Sequence, residues 1–175
     1  MEKLSALFGK LIDRLAAVAC VLLFLLMLVV CADVLMRNVP LIPSMRGFPA
    51  ANDLSEAALY LITLLSAPWL LRQGKHIRVD ILLKAIPAHW AWYCEWAVDL
   101  LGLGCSLVMM WYGIAATGDG MASGELSIKA IATPVWWWLS VLPVTFALMA
   151  AEFVFRMHRL AQGERAPRDE AVTAG

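Results

Sequence analysis

The feature that most constrains this chain is an apolar run over residues 15–32, which contains no charged side chain. A helix rises 1.5 Å per residue, so a run of this length covers most of a hydrocarbon layer about 30 Å thick. Lys3, Lys10 and Arg14 precede the run, as in a signal peptide. The run is too long for one, however, and no small-residue cleavage site follows it in a polar context. We expect a retained membrane helix over about residues 15–36.

The composition of the whole chain is also that of a membrane protein. Hydrophobic residues make up 62% of the 175 residues and charged residues only 16%, whereas soluble chains run to about 45–50% and 25%. A chain this small cannot enclose so much apolar surface in a core of its own. A soluble enzyme, a nucleic-acid-binding protein and a disordered chain are therefore disfavoured, and the excess apolar surface is expected to face lipid or an apolar partner.

Three further segments are apolar enough to span a membrane, at about residues 54–71, 90–116 and 134–155. Pro134 suits the first turn of the last span. The sequence thus predicts an all-α membrane protein with four transmembrane helices. We expect residues 1–160 to form a single membrane domain and residues 161–175 to form a polar, disordered cytoplasmic tail.

The basic residues are sorted unevenly between the segments that flank these spans. Of the 14 Lys and Arg residues, 11 fall in the N-terminal segment, the second loop and the C-terminal tail. The other side holds only Arg37, Arg46 and Lys129. Cytoplasmic segments carry the excess of Lys and Arg, so both termini are predicted to be cytoplasmic. The formal net charge of zero hides this asymmetry.

The second loop is basic and then apolar. Its stretch over about residues 79–87 has few charges and ends at Pro87, which predicts a short helix lying in the membrane interface. Basic side chains there, and tryptophans at the start of the last span, are suited to the headgroup layer. The candidate lipid-headgroup contacts are Arg72, Lys75, Arg78, Lys84, Trp136 and Trp137.

Charged residues close the first span and open the second. Asp33 and Arg37 have i,i+4 spacing, which favours a local ion pair, with contact to another helix or subunit as the alternative. Asp53 and Glu56 have the spacing of a capping box, in which Asp53 would cap the second helix. Glu56 is also placed to meet Arg37 across the first loop.

The third span carries the deepest carboxylate. Asp99 lies about nine residues into that span, and no second carboxylate or lysine is expected at a similar depth. Helix packing or a subunit contact is the favoured role, and ion coupling is the alternative. Gly102 and Ser106 have small-xxx-small spacing, which allows a close helix approach. Glu152 and Arg156 form a further i,i+4 pair.

No pattern of catalytic, cofactor-binding or metal-binding residues emerges. The four cysteines lie in or beside apolar runs without zinc spacing, and we expect them to be buried, inert thiols. The histidines fall in polar segments, so no haem ligand pair is expected within the bundle. We therefore expect neither an enzyme nor a cofactor or metal site.

The chain resembles the small four-helix membrane subunit, of DctQ type, of tripartite ATP-independent periplasmic (TRAP) transporters, over about residues 10–160. The features that carry the resemblance are residues 33–37, Glu56, residues 74–80, Pro87, residues 131–136 and residues 142–143. The Gly-x-His-x-x-Val-Asp pattern of residues 74–80 is the most specific of these. One departure is Pro49, which is followed by Ala50 where the family has Trp.

The resemblance implies a partner role in a bacterial inner membrane. A periplasmic binding protein would capture an organic acid, a large multi-span subunit would carry it inward with sodium, and this chain would scaffold the large subunit. It implies no cofactor and no nucleic acid, and membrane lipids as further contacts. Asp33, Arg37, Glu56, Asp99, Gly102 and Ser106 are the candidate subunit or helix contacts. The alternative is an independent proton-coupled transporter that acts as a homodimer through Asp99.

Overall fold

Four long helices make up almost all of the structure. The computed structural model describes residues 2–38, 50–73, 88–127 and 133–162. The helices are α1 (Glu2–Asn38), α2 (Ala51–Arg72), α3 (Ala88–Ser123) and α4 (Val135–Gln162). Each contains a segment long and apolar enough to cross a membrane. The prediction of an all-α protein with four membrane-spanning helices is confirmed.

A two-residue antiparallel ladder joins α3 to α4. It pairs β1 (Leu126–Ser127) with β2 (Thr133–Pro134). Gly124 precedes it with a φ of 62°, a left-handed conformation that glycine adopts without a Cβ clash. Pro134 therefore lies in β2 and not in the first turn of α4, so that prediction is wrong. The predicted interfacial helix at 79–87 lies outside the described residues, as does most of the predicted tail.

Two helices begin earlier than their apolar runs. α1 begins at Glu2, because the hydropathy pattern marks the membrane-embedded part of a helix and not its ends. α2 begins at Ala51 with Ala50 as its N-cap, and the Leu54 amide donates to the Ala50 carbonyl at 2.9 Å. Asp53 therefore lies inside the first turn, where a carboxylate suits the positive end of the helix dipole. The prediction that Asp53 caps this helix is wrong.

The helices pack in the order α1, α2, α4, α3. The most extensive contacts join α3 to α4, followed by α1 to α2 and α2 to α4. At one end Phe8 of α1 also meets Phe155 of α4, with ring centroids 5.4 Å apart. A small core of Leu71, Met149 and Phe153 lies where α2, α3 and α4 come together. This order places α1 and α3 on the flanks.

Glycines on α3 form its seam with α4. A Cβ on Gly102 would lie 2.4 Å from the ring of Phe153, and one on Gly113 would lie 3.1 Å from Pro143. Real Cβ atoms do not tolerate the first distance, so glycine is what allows the two helices to approach at this level.

The outer faces of the bundle are apolar. Leu101 and Trp111 of α3, for example, are 70% and 72% exposed, and α1 exposes a long series of Leu, Val, Met and Phe side chains. All four cysteines are free and exposed. The expectation of buried thiols is therefore wrong, because apolar residues of a membrane protein can lie on its outside, where a soluble protein would bury them.

Candidate functional site

An interhelical charge cluster lies where α1 and α3 begin and α2 and α4 end. At its centre the carboxylate of Glu152 is fully buried. It binds Arg72 of α2 at 3.2 Å and Arg159 of its own helix at 2.7 Å. The i,i+4 spacing on α4 predicted a pair of Glu152 with Arg156 alone. The structure shows two other guanidinium partners, one of them from a neighbouring helix.

Arg72 extends the cluster to α1. Its Nη2 donates to the Ser5 carbonyl at 3.2 Å. The guanidinium lies against Gly9, where a Cβ would be only 2.6 Å away. A guanidinium carries five donors in a fixed fork, which lets one arginine bind a carboxylate and a carbonyl at once. Arg72 therefore links α1, α2 and α4, and the small size of Gly9 makes room for it.

A second ion pair brings α3 into the cluster. Arg156 Nε lies 3.3 Å from Asp99 Oδ1, and the two side chains are 10% and 2% exposed. Arg156 Nη1 also donates to the Leu71 carbonyl at 2.9 Å. That carbonyl belongs to the last turn of α2, where carbonyl groups have no partner within the helix. Sequence reasoning considered only a second carboxylate or a lysine at this depth and missed Arg156, which supplies an opposite charge from α4.

The charge cluster thus comprises Ser5, Arg72, Asp99, Glu152, Arg156 and Arg159, and it joins all four helices. Its guanidinium and carboxylate groups bind one another and the backbone. Within the described ranges, no set of three or more His, Cys, Asp or Glu side chains could hold a metal ion. The arrangement is suited to fixing the mutual position of the helices.

The remaining candidate contacts are dispersed along the bundle. Asp33 and Arg37 form a local ion pair of 2.8 Å near the end of α1, with Arg37 56% exposed. Ser106 is buried, and its hydroxyl donates to the Gly102 carbonyl at 2.8 Å. Both small residues therefore lie on the side of α3 that packs within the chain, since Gly102 contacts α4.

Three of the six candidate headgroup contacts lie within the described residues. Trp136 and Trp137 stack edge to face at 5.9 Å at the start of α4, and Trp137 is exposed. Arg72 contributes its guanidinium to the charge cluster, a role that sequence reasoning missed. Lys75, Arg78 and Lys84 lie outside the described residues.

A cleft opens at the opposite end of the bundle, between the first turns of α2 and α4. Its volume is about 400 Å³. The lining residues of this α2–α4 cleft are Asp53, Leu54, Glu56, Ala57, Tyr60, Ser127, Thr133, Val135, Trp138 and Leu139. Most of the wall is apolar, with two carboxylates on the α2 side.

Hydrogen bonds connect three of the residues that line this cleft. The Tyr60 hydroxyl donates to the Trp138 carbonyl at 3.0 Å, and the Trp138 indole donates to the Thr133 hydroxyl at 3.0 Å. Sequence reasoning missed the cleft. A signal was present, because Asp53, Glu56 and Tyr60 follow one another at three- and four-residue spacing on one face of α2.

Four apolar helices, joined at one end by buried ion pairs, define a multi-pass membrane protein. The family model for the DctQ component of tripartite ATP-independent periplasmic transporters matches residues 26–163. The chain belongs to this family and is a small membrane component of a TRAP transporter. A search of curated proteins finds no match.

Proposed function

We propose that this chain is a non-catalytic scaffold for the large transport subunit of a TRAP transporter. The observation that carries the proposal is the exposed apolar surface of α1 and α3 in a chain of this family. These two helices flank the bundle, so their outer faces are open to a second membrane protein. Packing against another helix bundle is a common use of such faces, although lipid also suits them.

The charge cluster supports a structural role for the buried ionisable residues. Asp99 and Glu152 each have a guanidinium partner on a neighbouring helix. Such contacts fix helix positions, and a scaffold has to hold its shape while a neighbouring subunit moves. The cluster therefore fits a rigid support, and no observation favours proton carriage through Asp99.

The transport reaction of the complex is proposed from family membership. The large subunit would couple inward movement of an organic acid to sodium, and a periplasmic binding protein would deliver the acid. Both partners are proposed contacts of this chain in a bacterial inner membrane. Asp33 and Arg37, at the end of α1, are the proposed subunit contacts, whereas Glu56 lines the α2–α4 cleft. Asp99 and Gly102 have contacts within the chain.

Both termini are proposed to lie in the cytoplasm. Contacts within the charge cluster bring the first residues of α1, the end of α2 and the end of α4 together. The three basic segments of the sequence adjoin these helix ends, so one side of the membrane would receive nearly all of the basic charge. Residues 79–87 would then lie along the cytoplasmic interface with Lys75, Arg78 and Lys84 among the headgroups, beside a tail over residues 161–175.

Uptake by cells tests the proposed role. Strains would express the large subunit and binding protein with or without this chain, and the substrate would be the acid that the purified binding protein retains. Sodium-dependent uptake is expected only when all three proteins are present. The same chain alone in liposomes is expected to transport nothing. Proton-driven transport by the chain alone, abolished by Asp99→Asn, would instead establish the independent transporter.

A further inference from the structure

We propose that the α2–α4 cleft binds the headgroup of a phospholipid with a primary amine, of the phosphatidylethanolamine type. The inference concerns a ligand site of this chain alone and goes beyond its role in the transporter. It starts from the unequal chemistry of the cleft walls. Asp53 and Glu56 place two carboxylates on one side, and apolar or aromatic side chains make up most of the rest.

The acidic wall is suited to an ammonium group. Asp53 and Glu56 lie three residues apart and therefore on one face of α2. Each ionised carboxylate accepts several hydrogen bonds, so an ammonium group can be added to the contacts that they already make. Tyr60 and Trp138 also line the cleft, and aromatic faces attract cations. An anionic headgroup would be repelled, and a quaternary amine would have no hydrogen to donate.

The opposite side of the cleft can accommodate the phosphate. The first residue of α4, Val135, is part of the lining. The Val135 N–H already donates to the Glu125 carbonyl at 3.1 Å, but the positive end of the α4 dipole also lies at this wall. Anions are favoured at such a position. A zwitterion would therefore place its ammonium toward α2 and its phosphate toward α4.

Size and depth favour a lipid over a basic side chain of a partner protein. The cleft has a volume of about 400 Å³, more than a lysine side chain with its five non-hydrogen atoms would fill at roughly 30 Å³ for a group of water size. A phosphoethanolamine with its glycerol is larger than such a side chain and would fill more of the cleft. Trp136 and Trp137 lie beside the cleft, and paired tryptophans are typical of the headgroup level. The apolar wall would then contact the beginning of an acyl chain.

Native mass spectrometry of the full-length chain in detergent tests the site. The chain would be titrated with phosphatidylethanolamine, phosphatidylglycerol and phosphatidylcholine that have identical acyl chains. We expect phosphatidylethanolamine to bind about tenfold more tightly than the other two, as expected for charge-assisted hydrogen bonds to the two carboxylates. The double substitution Asp53→Asn/Glu56→Gln is expected to remove this preference.

The matched control is Asp119→Asn/Glu125→Gln. It makes the same change of charge at exposed positions that are not among the lining residues of the cleft, and we expect it to keep the preference. Ala57→Phe fills the cleft without changing its charge and is expected to lower binding of phosphatidylethanolamine.

An equal response to the three lipids in the unsubstituted chain would overturn the proposal. Retention of the preference in both the Asp53→Asn/Glu56→Gln and Ala57→Phe variants would do the same. If the first variant does not fold, Ala57→Phe decides alone. The assay contains no other subunit, so its result is independent of whether the chain scaffolds a transporter.

Discussion

Neutralising Asp99 is expected to destabilise the bundle far more than neutralising Asp33, although the ion pair of Asp33 is the shorter one. Asp33 lies 2.8 Å from Arg37, whose side chain is 56% exposed. Asp99 lies 3.3 Å from Arg156, and both side chains are almost completely buried. Burial rather than distance should decide the cost, because water and mobile side chains weaken an exposed pair.

The expected loss of unfolding free energy depends on how far each ion pair is buried. At 3.3 Å and an effective dielectric constant of about 20, two unit charges attract by about 5 kcal/mol. Desolvation offsets part of this attraction, but Asp99→Asn leaves the guanidinium buried without that counter-charge. Breaking a buried pair in this way costs about 3–5 kcal/mol, more than a hundredfold in the unfolding equilibrium constant. Asp33→Asn should cost about 0.2–1 kcal/mol.

The loss of unfolding free energy in Asp99→Asn and in Asp33→Asn can be measured by equilibrium unfolding in mixed detergent micelles. Tryptophan fluorescence of the purified chain follows the transition. The double variant Asp99→Leu/Arg156→Met should recover part of the loss, because apolar residues that replace both members of a buried pair leave no unpaired charge. The recovery is incomplete because the bond from Arg156 to the Leu71 carbonyl is lost as well. A free energy of unfolding for Asp99→Asn within about 1 kcal/mol of that for Asp33→Asn would show that burial does not decide the cost. A double variant no more stable than Asp99→Asn would also count against this role of burial.

Three further predictions concern separate contacts. Gly102→Ala should lower the free energy of unfolding by about 1–3 kcal/mol, because the new Cβ would lie 2.4 Å from the ring of Phe153. The control Gly104→Ala should be neutral or slightly stabilising, because no atom lies within 4 Å of its Cβ. Gly9→Leu should displace the Arg72 guanidinium and lower the midpoint of thermal unfolding. An unchanged midpoint would speak against the contact between Gly9 and Arg72. Arg37→Ala should weaken assembly or uptake more than Lys84→Ala, and equal uptake by both would remove the case for a special contact at the end of α1.

The four spans could be predicted because lipid imposes a simple requirement. A helix that crosses the membrane needs about 20 apolar residues, whatever it packs against. The helix ends could not be predicted in the same way. α1 continues through charged residues to Glu2, and α2 begins before Asp53, because backbone hydrogen bonding continues beyond the apolar run in each case.

The ion pairs of the charge cluster that join different helices could not be predicted from the sequence. Spacing along one helix indicates i,i+4 pairs, and it found Asp33 with Arg37 correctly. It did not reveal that Arg72 reaches Glu152, or that Arg156 reaches Asp99, since those pairs depend on which helices are neighbours. The α2–α4 cleft was missed for the same reason, because its walls come from two helices and the β ladder.

The exposed apolar faces of α1 and α3 are proposed to be covered by a large membrane subunit. The most direct measurement is the mass of the complex that this chain forms when it is purified from its native membrane in mild detergent. We expect a stable complex of one copy of this chain with one much larger multi-span protein. A chain that purifies only as a monomer, or only as a homodimer, would contradict it.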